Sequence, residues 1–315
     1  MREALASLDM RRRRLGAEGP EVSVVGLGSN NFGMRVDLEG TRAVVDAALD
    51  VGVTLIDTAD TYGGKGGSES FLGEVLEGRR DRVVLATKFG SDMGDGTERR
   101  GARDYVHKAI AGSLQRLRTD YVDLYQYHFP DPGTPLAETF GALDELVREG
   151  KVRYVGHSNL SPEQVEEVDA LAREHGWARP VSSQNQYSLL RRDAEEKLLP
   201  TCERVGVGML PYFPLASGLL TGKYRRNQPH PEGTRLAGRD DVFTDETWNR
   251  LEALDEFARE RGLTMLEVAI GGLLAQPAVP SVIAGATKPE QVRSNAAAGD
   301  WEPSPEDMAA LNAIR

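Results

Sequence analysis

An acid, a phenol, an ammonium and an imidazole (Asp57, Tyr62, Lys88 and His128) fall at or just past the ends of three short apolar runs. The runs cover residues 54–59, 83–88 and 121–128 and read as β-strands. Four such groups can meet only if the strands are parallel and side by side. The set suits proton transfer. A phenol with a pKa of about 10 is a poor acid–base group at neutral pH. A lysine ammonium about 4 Å away, at an effective dielectric near 20, is worth up to about 4 kcal/mol, or roughly three pKa units. Lys88 is thus expected to bring Tyr62 toward neutrality, where general acid–base catalysis works best. Asp57 would keep Lys88 charged and aimed, and His128 would donate to the reacting oxygen. Singly, each residue has a plainer reading. Asp57 can cap a turn before Gly63, Lys88 can be a solvated strand end, and His128 can be a hydrogen-bonded core histidine. On adjacent strands, the joint chemical reading is favoured.

Strand-like and helix-like segments alternate along the chain. Val44, Val45, Ala48 and Leu49 share a helical face, and Gly52 follows as a C-cap. Helices are also expected near 69–77, 104–118, 136–149 and 195–204. Ser161, Pro162 and Gln164 form the start signal of another, with a capping box and a proline at the first position. Strands are expected at 152–158, 181–186, 207–213 and 281–286. Residues 215–243 read as a long loop, followed by helices near 245–261 and 264–275. A helix at 289–298 closes the repeat, and another is appended at 305–314. The landmarks Asp57, Lys88, His128, Ser158, Gln184 and Tyr212 recur at roughly 26–40 residues, one βα unit each. Eight units in this length predict an α/β fold, a (β/α)8 TIM barrel with an N-terminal β-hairpin and extra C-terminal helices, forming one domain over 1–315. A doubly wound open sheet is the runner-up. It predicts a G-x-G-x-x-G turn after the first strand, and Gly26-Leu-Gly28-Ser-Asn-Asn-Phe-Gly33 lacks that spacing.

Composition narrows the function. Of 315 residues, 40% are hydrophobic, enough for a large core, and no apolar run is long enough to span a membrane. A net charge of −11 argues against a nucleic-acid duplex as the main partner. The run Arg11–Arg14 reads as a solvated edge strand of the hairpin rather than an anion patch. One cysteine, Cys202, excludes disulfides within the chain and suggests a reducing, cytoplasmic setting. Met10 offers a second start, which would leave residues 1–9 as a disordered extension. Five scattered histidines and no cysteine pair give no metal-site pattern. Gly63-Gly-Lys65-Gly-Gly-Ser68 fails as a P-loop and reads as a flexible loop before a helix. Gly156-His-Ser158-Asn-Leu160 lacks the second glycine of a nucleophile elbow.

The sequence resembles the aldo-keto reductase family from Arg13 to about Ile314. The resemblance rests on Ile56-Asp-Thr-Ala-Asp-Thr-Tyr62-Gly, Gly67-Ser-Glu69, Ala86-Thr-Lys88, Asp123-Leu-Tyr-Gln-Tyr-His128, Gly156-His-Ser-Asn159, Gln184-Asn-Gln-Tyr187, the Pro214–Tyr224 stretch ending Leu-Thr-Gly-Lys-Tyr, and Gly285-Ala-Thr-Lys-Pro-Glu-Gln291. The Leu-Thr-Gly-Lys-Tyr segment is similar to the branch containing bacterial general aldehyde reductases and potassium-channel beta subunits. The resemblance implies NADPH-dependent reduction of an aldehyde or ketone, with Tyr62 as proton donor, Lys88 and Asp57 tuning it and His128 orienting the carbonyl. NADH is the less expected cofactor. Ser158, Asn159 and Gln184 would hold the nicotinamide carboxamide and Tyr212 would stack on its ring. Leu215, Ala216, Ser217, Leu219 and Lys223 match the diphosphate segment. Gly285, Thr287, Gln291 and Asn295 match the adenosine end, with Arg235 adding a charge there and Lys288 and Arg293 available to a 2′-phosphate. A Lys and an Arg familiar at that end are replaced by Gly285 and Gln291. The alternative is a redox-sensing, nicotinamide-binding subunit with slow turnover, like the channel subunits. The loops at 30–36, 90–103, 129–135 and 215–243 would set the small-molecule carbonyl substrate, with Phe32, Met34, Phe89 and Phe129 as a candidate apolar wall. A homo-oligomer remains open.

Overall fold

The computed structural model describes residues 10–314, so the expected extension over 1–9 concerns residues outside that range. Eight parallel strands form a nearly closed barrel: β3 (Val25–Gly28), β4 (Leu55–Asp57), β5 (Val84–Phe89), β6 (Val122–Tyr127), β7 (Val152–Ser158), β8 (Ser182–Gln186), β9 (Gly208–Tyr212) and β10 (Val282–Gly285). From β3 to β9 each strand pairs with the next, and β10 pairs with β3, so the sheet order ends at β9 and β10. The helices between them are α1 (Leu38–Asp50), α2 (Tyr62–Val75), α3 (Arg103–Leu117), α4 (Leu136–Arg148), α5 (Pro162–His175), α6 (Leu198–Val205), α7 (Asp245–Glu260) and α8 (Met265–Leu274). α9 (Pro289–Ala298) follows the last strand, and α10 (Pro305–Ala313) is the appended helix.

Side-chain parity divides the packing into two cores. Outward residues of the strands, among them Ile56, Leu85, Tyr125, Val155 and Met209, join the helices in the main core. Inward residues Leu55, Ala86, Leu124, Leu210 and Ile283 form a second cluster with Leu15, Val22 and Val181. Leu15 and Val22 belong to the antiparallel hairpin β1 (Arg12–Arg14) and β2 (Glu21–Ser23), which therefore plugs the N-terminal end of the barrel. The apolar plug leaves the opposite, C-terminal mouth for polar inward residues.

The basic run is more structural than its sequence suggests. Arg12 is exposed, but Arg13 donates to the carbonyls of Leu274, at the end of α8, and Val279, at 2.6 and 3.2 Å. Arg11 donates to the Gly299 carbonyl and pairs with Glu302. Helix C-termini carry unpaired carbonyls and partial negative charge, so guanidinium groups fit there.

The capping signal at Ser161 forms as expected, with Ser161 and Gln164 exchanging side-chain and backbone bonds. The glycine segment in the first part of α2 differs from the expected flexible loop. Gly63 through Gly66 have φ of 70, 73, 72 and 108°, a continuous left-handed turn that follows directly on Tyr62. A Cβ at Gly63 would lie 2.3 Å from the Ser68 nitrogen and 2.5 Å from the Phe32 oxygen. Glycine therefore serves both the backbone sign and the close approach there. The 215–243 segment is not wholly loop either. It contains short 3-10 turns at Ala216–Thr221 and Asp240–Val242.

Candidate active site

Inward parity places Asp57, Lys88, Gln126, Ser158 and Gln184 just above the apolar plug. Lys88 and Gln126 are fully buried, and Asp57, Ser158 and Gln184 nearly so. Burying an ammonium is costly unless every proton has an acceptor. Lys88 Nζ donates to Asp57 Oδ2 at 2.7 Å and to the Thr58 carbonyl at 2.8 Å. The other carboxylate oxygen accepts from Gln184 Nε2 at 3.0 Å and Gln126 Nε2 at 3.3 Å. Ser182 in turn donates to Gln126 Oε1 at 3.0 Å. Asp57 thus accepts from three donors, and the pair fixes Lys88. Burial alone would lower the lysine pKa, but Asp57 and then Tyr62 outweigh it, so the ammonium is held above its ordinary range.

The β5–β6 edge carries the next member. The strand ends place Lys88 Nζ 4.9 Å from the centre of the Tyr62 ring. His128 meets that ring edge-on, with centroids 5.9 Å apart. The electrostatics correct the expected neutral-range phenol. Burial raises the Tyr62 pKa, Lys88 opposes it and Asp57 adds to it, leaving the phenol above its ordinary 10. The lysine does lower the phenol, but desolvation is the larger effect. Tyr62 is therefore a protonated donor throughout the neutral range.

His128 is neutral as well. Burial, followed by the Lys88 charge, pushes its pKa down to about 2. Ser91 Oγ lies 3.0 Å from Nδ1. With Ser91 donating there, the ring proton sits on Nε2, making that nitrogen a hydrogen-bond donor.

At the β7–β9 side, Ser158 donates to the Gln184 carbonyl at 2.6 Å. Asn159 adopts φ 60°, a conformation asparagine tolerates better than most residues. Its amide donates to the His128 carbonyl and to Ser158 Oγ, each at 2.9 Å, and accepts from the Tyr212 hydroxyl at 2.9 Å. The residues matched to carboxamide and ring recognition thus form one connected rim beside His128.

Leu215 and Ala216 are half-buried and pack on the main core, Leu219 is buried, and Ser217 takes a left-handed φ of 58° inside the Ala216–Thr221 turn. Lys223 folds against Gly218 of that turn, where an added Cβ would lie 3.0 Å from its ammonium. Arg235 reaches from the same long segment to lie over the Phe213 ring at 5.0 Å. Arg35, in the β3–α1 loop, donates to the Gly233 carbonyl at 3.4 Å. Burial and the Arg35 charge lower the pKa of both Lys223 and Arg235, while Tyr62 opposes the shift of Arg235. Among the described residues, none of these three cations has a carboxylate partner. Mutually repelling, exposed cations beside a backbone turn fit a multiply charged anion such as a dinucleotide diphosphate. Further around the mouth, Gln291 Oε1 accepts from the Thr287 amide at 2.7 Å; Gly285 is exposed and Asn295 buried. A cleft of about 470 Å³ there is lined by Arg35, Phe71 and Thr287 among others, but by none of Asp57, Tyr62, Lys88 and His128.

The candidate apolar wall is corrected in part. Phe129 stacks on His128 at 4.6 Å and is 49% exposed. Met34 is also exposed. Phe89 instead lies between Tyr125 and Tyr127, fully buried. Its parity is opposite to that of Lys88, so it must point into the helical layer. Phe32 is likewise fully buried. Neither has surface to offer a substrate. Gln126, Ser91 and Arg35 were not singled out from sequence. Gln126 carried a signal, since it shares parity with His128 two residues on. Ser91 and Arg35 sit on loops with no periodicity to place them.

The Aldo/keto reductase family model matches residues 24–315. The chain is 38% identical over 301 residues to an L-glyceraldehyde 3-phosphate reductase of Escherichia coli (strain K12), covering 91% of this chain and 86% of that protein. It is 36% identical over 308 residues to the aldo-keto reductase YhdN of Bacillus subtilis, covering 94% and 91%. A probable voltage-gated potassium channel subunit beta of Oryza sativa subsp. japonica is 33% identical over 321 residues, covering 97% and 96%.

Proposed function

The chain belongs to the aldo/keto reductase family, and we propose that it reduces an aldehyde or ketone to an alcohol with NADPH, Tyr62 serving as the general acid. The observation that carries this reading is the buried Asp57–Lys88 pair beneath Tyr62, with His128 edge-on to the same ring. A bound nicotinamide would supply the hydride. The chain's own residues then have separate tasks. Neutral His128 donates from Nε2 to the carbonyl oxygen and orients it. Tyr62 gives its phenolic proton to that oxygen as negative charge develops. Lys88 stabilises the phenolate left behind, so the phenol's high resting pKa matters less than the drop it undergoes at that moment. Asp57 keeps Lys88 aimed, and the apolar plug excludes water from below.

Arg35, Lys223 and Arg235 support a dinucleotide whose charges exceed those the chain itself supplies. Lys288 and Arg293 support a 2′-phosphate and hence NADPH over NADH. The channel subunit similarity favours a second reading, a nicotinamide-binding sensor with slow turnover. A cytoplasmic setting is supported by the single, buried cysteine, Cys202. Among the described residues, no helix is long and apolar enough to cross a membrane.

The name of the E. coli relative makes phosphorylated aldehydes a natural part of a substrate panel. Aldehydes, ketones, sugars and a triose phosphate assayed with NADPH and NADH in parallel test the proposal. Turnover of at least one carbonyl, faster with NADPH, is expected. Tight nicotinamide binding with no multiple turnover on any of them would favour the sensor.

A further inference from the structure

Behind Tyr62, on the side away from the barrel interior, lies a second set of ionisable groups that the proposed reaction does not use. Asp60 is only 2% exposed, and neither carboxylate oxygen completes a hydrogen bond with another side chain. Glu69 of α2 is fully buried beside it. Both of the Glu69 oxygens are engaged, one by Thr87 Oγ1 of β5 at 2.5 Å and the other by Arg116 Nε of α3 at 2.7 Å. The Tyr125 hydroxyl of β6 lies within electrostatic reach of both, buried and, among the described residues, without a partner. Lys88 of β5, Tyr105 and Arg116 of α3, and, around Tyr105, Asp92, Asp95 and Arg100 of the preceding loop complete the charged surroundings.

Two buried carboxylates with one guanidinium between them cannot both be ionised cheaply. Glu69 has the partners that stabilise an anion. Asp60 has the Arg116 charge, the Thr61 backbone amide and the Lys88 charge in its favour, but burial and Glu69 outweigh them. A proton on Asp60 removes the repulsion, and it supplies a donor that one water can relay to the orphaned Tyr125 hydroxyl. The position matters because Asp60 lies within the short segment carrying both Asp57 and Tyr62. Its backbone amide donates to the Lys88 carbonyl at 3.1 Å, while Lys88 Nζ donates back to Thr58 of the same segment. Anything that pushes Asp60 off β5 therefore moves Tyr62 relative to Lys88.

We propose that Asp60 is a positioning residue held neutral in the working protein, and that its ionisation beside Glu69 loosens the Tyr62 segment and slows turnover on the alkaline side of neutrality. Burial, followed by the Glu69 charge, raises its pKa to about 7, which puts the change in the accessible range. The sign follows from linkage. The folded chain holds this proton more tightly than the unfolded one, so the contribution to stability is present at low pH and lost as pH rises through about 7. Tyr62 and Lys88 are held above their ordinary ranges and His128 is pushed down to about 2, so none of them produces a step there.

The proposal rests on the carbonyl-reductase reading for its catalytic readout but not for its other two. Asp60→Asn keeps the shape and a donor and removes the charge. In the wild-type chain, kcat is expected to fall several-fold from about pH 6 to about pH 8.5, and in Asp60→Asn to stay level over that range. Thermal stability of Asp60→Asn relative to the wild type should rise between about pH 4 and about pH 7 and then level off to about pH 8.5. Amide hydrogen exchange at residues 57–63 should quicken with pH beyond the intrinsic chemical rise in the wild type alone. Tyr125→Phe, which removes the acceptor, should move the wild-type step to lower pH. Identical pH profiles, melting curves and loop protection in wild type and Asp60→Asn would overturn the proposal. A wild-type chain without turnover would instead overturn the reductase reading, and unfolding and exchange would still decide the role of Asp60.

Discussion

Lys88 Nζ and Asp57 Oδ2 lie 2.7 Å apart inside the barrel, the lysine fully buried and the aspartate nearly so. Breaking such a pair from one side leaves a charge with no compensation, at a cost of about 3–5 kcal/mol. Asp57→Leu is expected to lose stability on that scale in urea unfolding. The double variant Asp57→Leu/Lys88→Met should recover much of it, because no lone charge remains, while carbonyl reduction stays abolished in both. Equal instability of single and double variants would mean that packing, not charge, dominates the pair.

His128 and His157 make stability fall in acid. Both are held neutral by burial, with pKa values pushed down to about 2 and about 3. Each binds its proton more weakly folded than unfolded, so stability is full above the ordinary histidine range and declines as pH drops below about 6.5. Among the described residues, neither ring nitrogen of His157 has a hydrogen-bond partner. His157→Phe should therefore raise the melting temperature at about pH 5 and leave turnover unchanged. No change in acid stability would show that His157 is hydrated in solution.

Arg35, Lys223 and Arg235 should act on cofactor affinity. Charge-assisted contacts of this kind are worth about 1.5–3 kcal/mol, so Arg235→Ala and Arg35→Ala should each weaken NADPH binding roughly tenfold or more. Binding should also weaken with added salt. Fluorescence titration with NADPH reads both effects. Unaltered dissociation constants in both variants would place the cofactor's charges elsewhere.

Phe89 and Phe129 should separate packing from recognition. Phe89→Ala removes a fully buried ring and should cost about 3–5 kcal/mol of stability. Phe129→Ala should leave stability nearly unchanged and alter KM among carbonyl substrates. The opposite pattern would exchange the two roles.

Much of this was legible because the polar strand-end residues interrupt apolar runs. Asp57, Lys88 and His128 stand out against such runs, and the recurrence of βα units implies parallel neighbours. The parity that puts Lys88 inside also puts Phe89 outside, a rule the apolar character of phenylalanine obscured. Desolvation was not legible. The spacing of Tyr62 and Lys88 suggests a lowered phenol pKa, whereas desolvation by its surroundings, known only once the barrel closes, raises it. Arg35 joins Lys223 and Arg235 through a loop-to-loop approach of residues nearly two hundred positions apart, which no local pattern encodes. Asp60 reads as an ordinary turn acid until α3 and β6 cover it.

The most direct test of the central claim is the turnover of Tyr62→Phe with NADPH and a reactive aldehyde, alongside its NADPH dissociation constant. Loss of a positioned general acid should lower kcat by about 10²–10⁴-fold, with cofactor affinity little changed because the ring and the Asp57–Lys88 pair remain. Wild-type kcat in Tyr62→Phe would contradict the account.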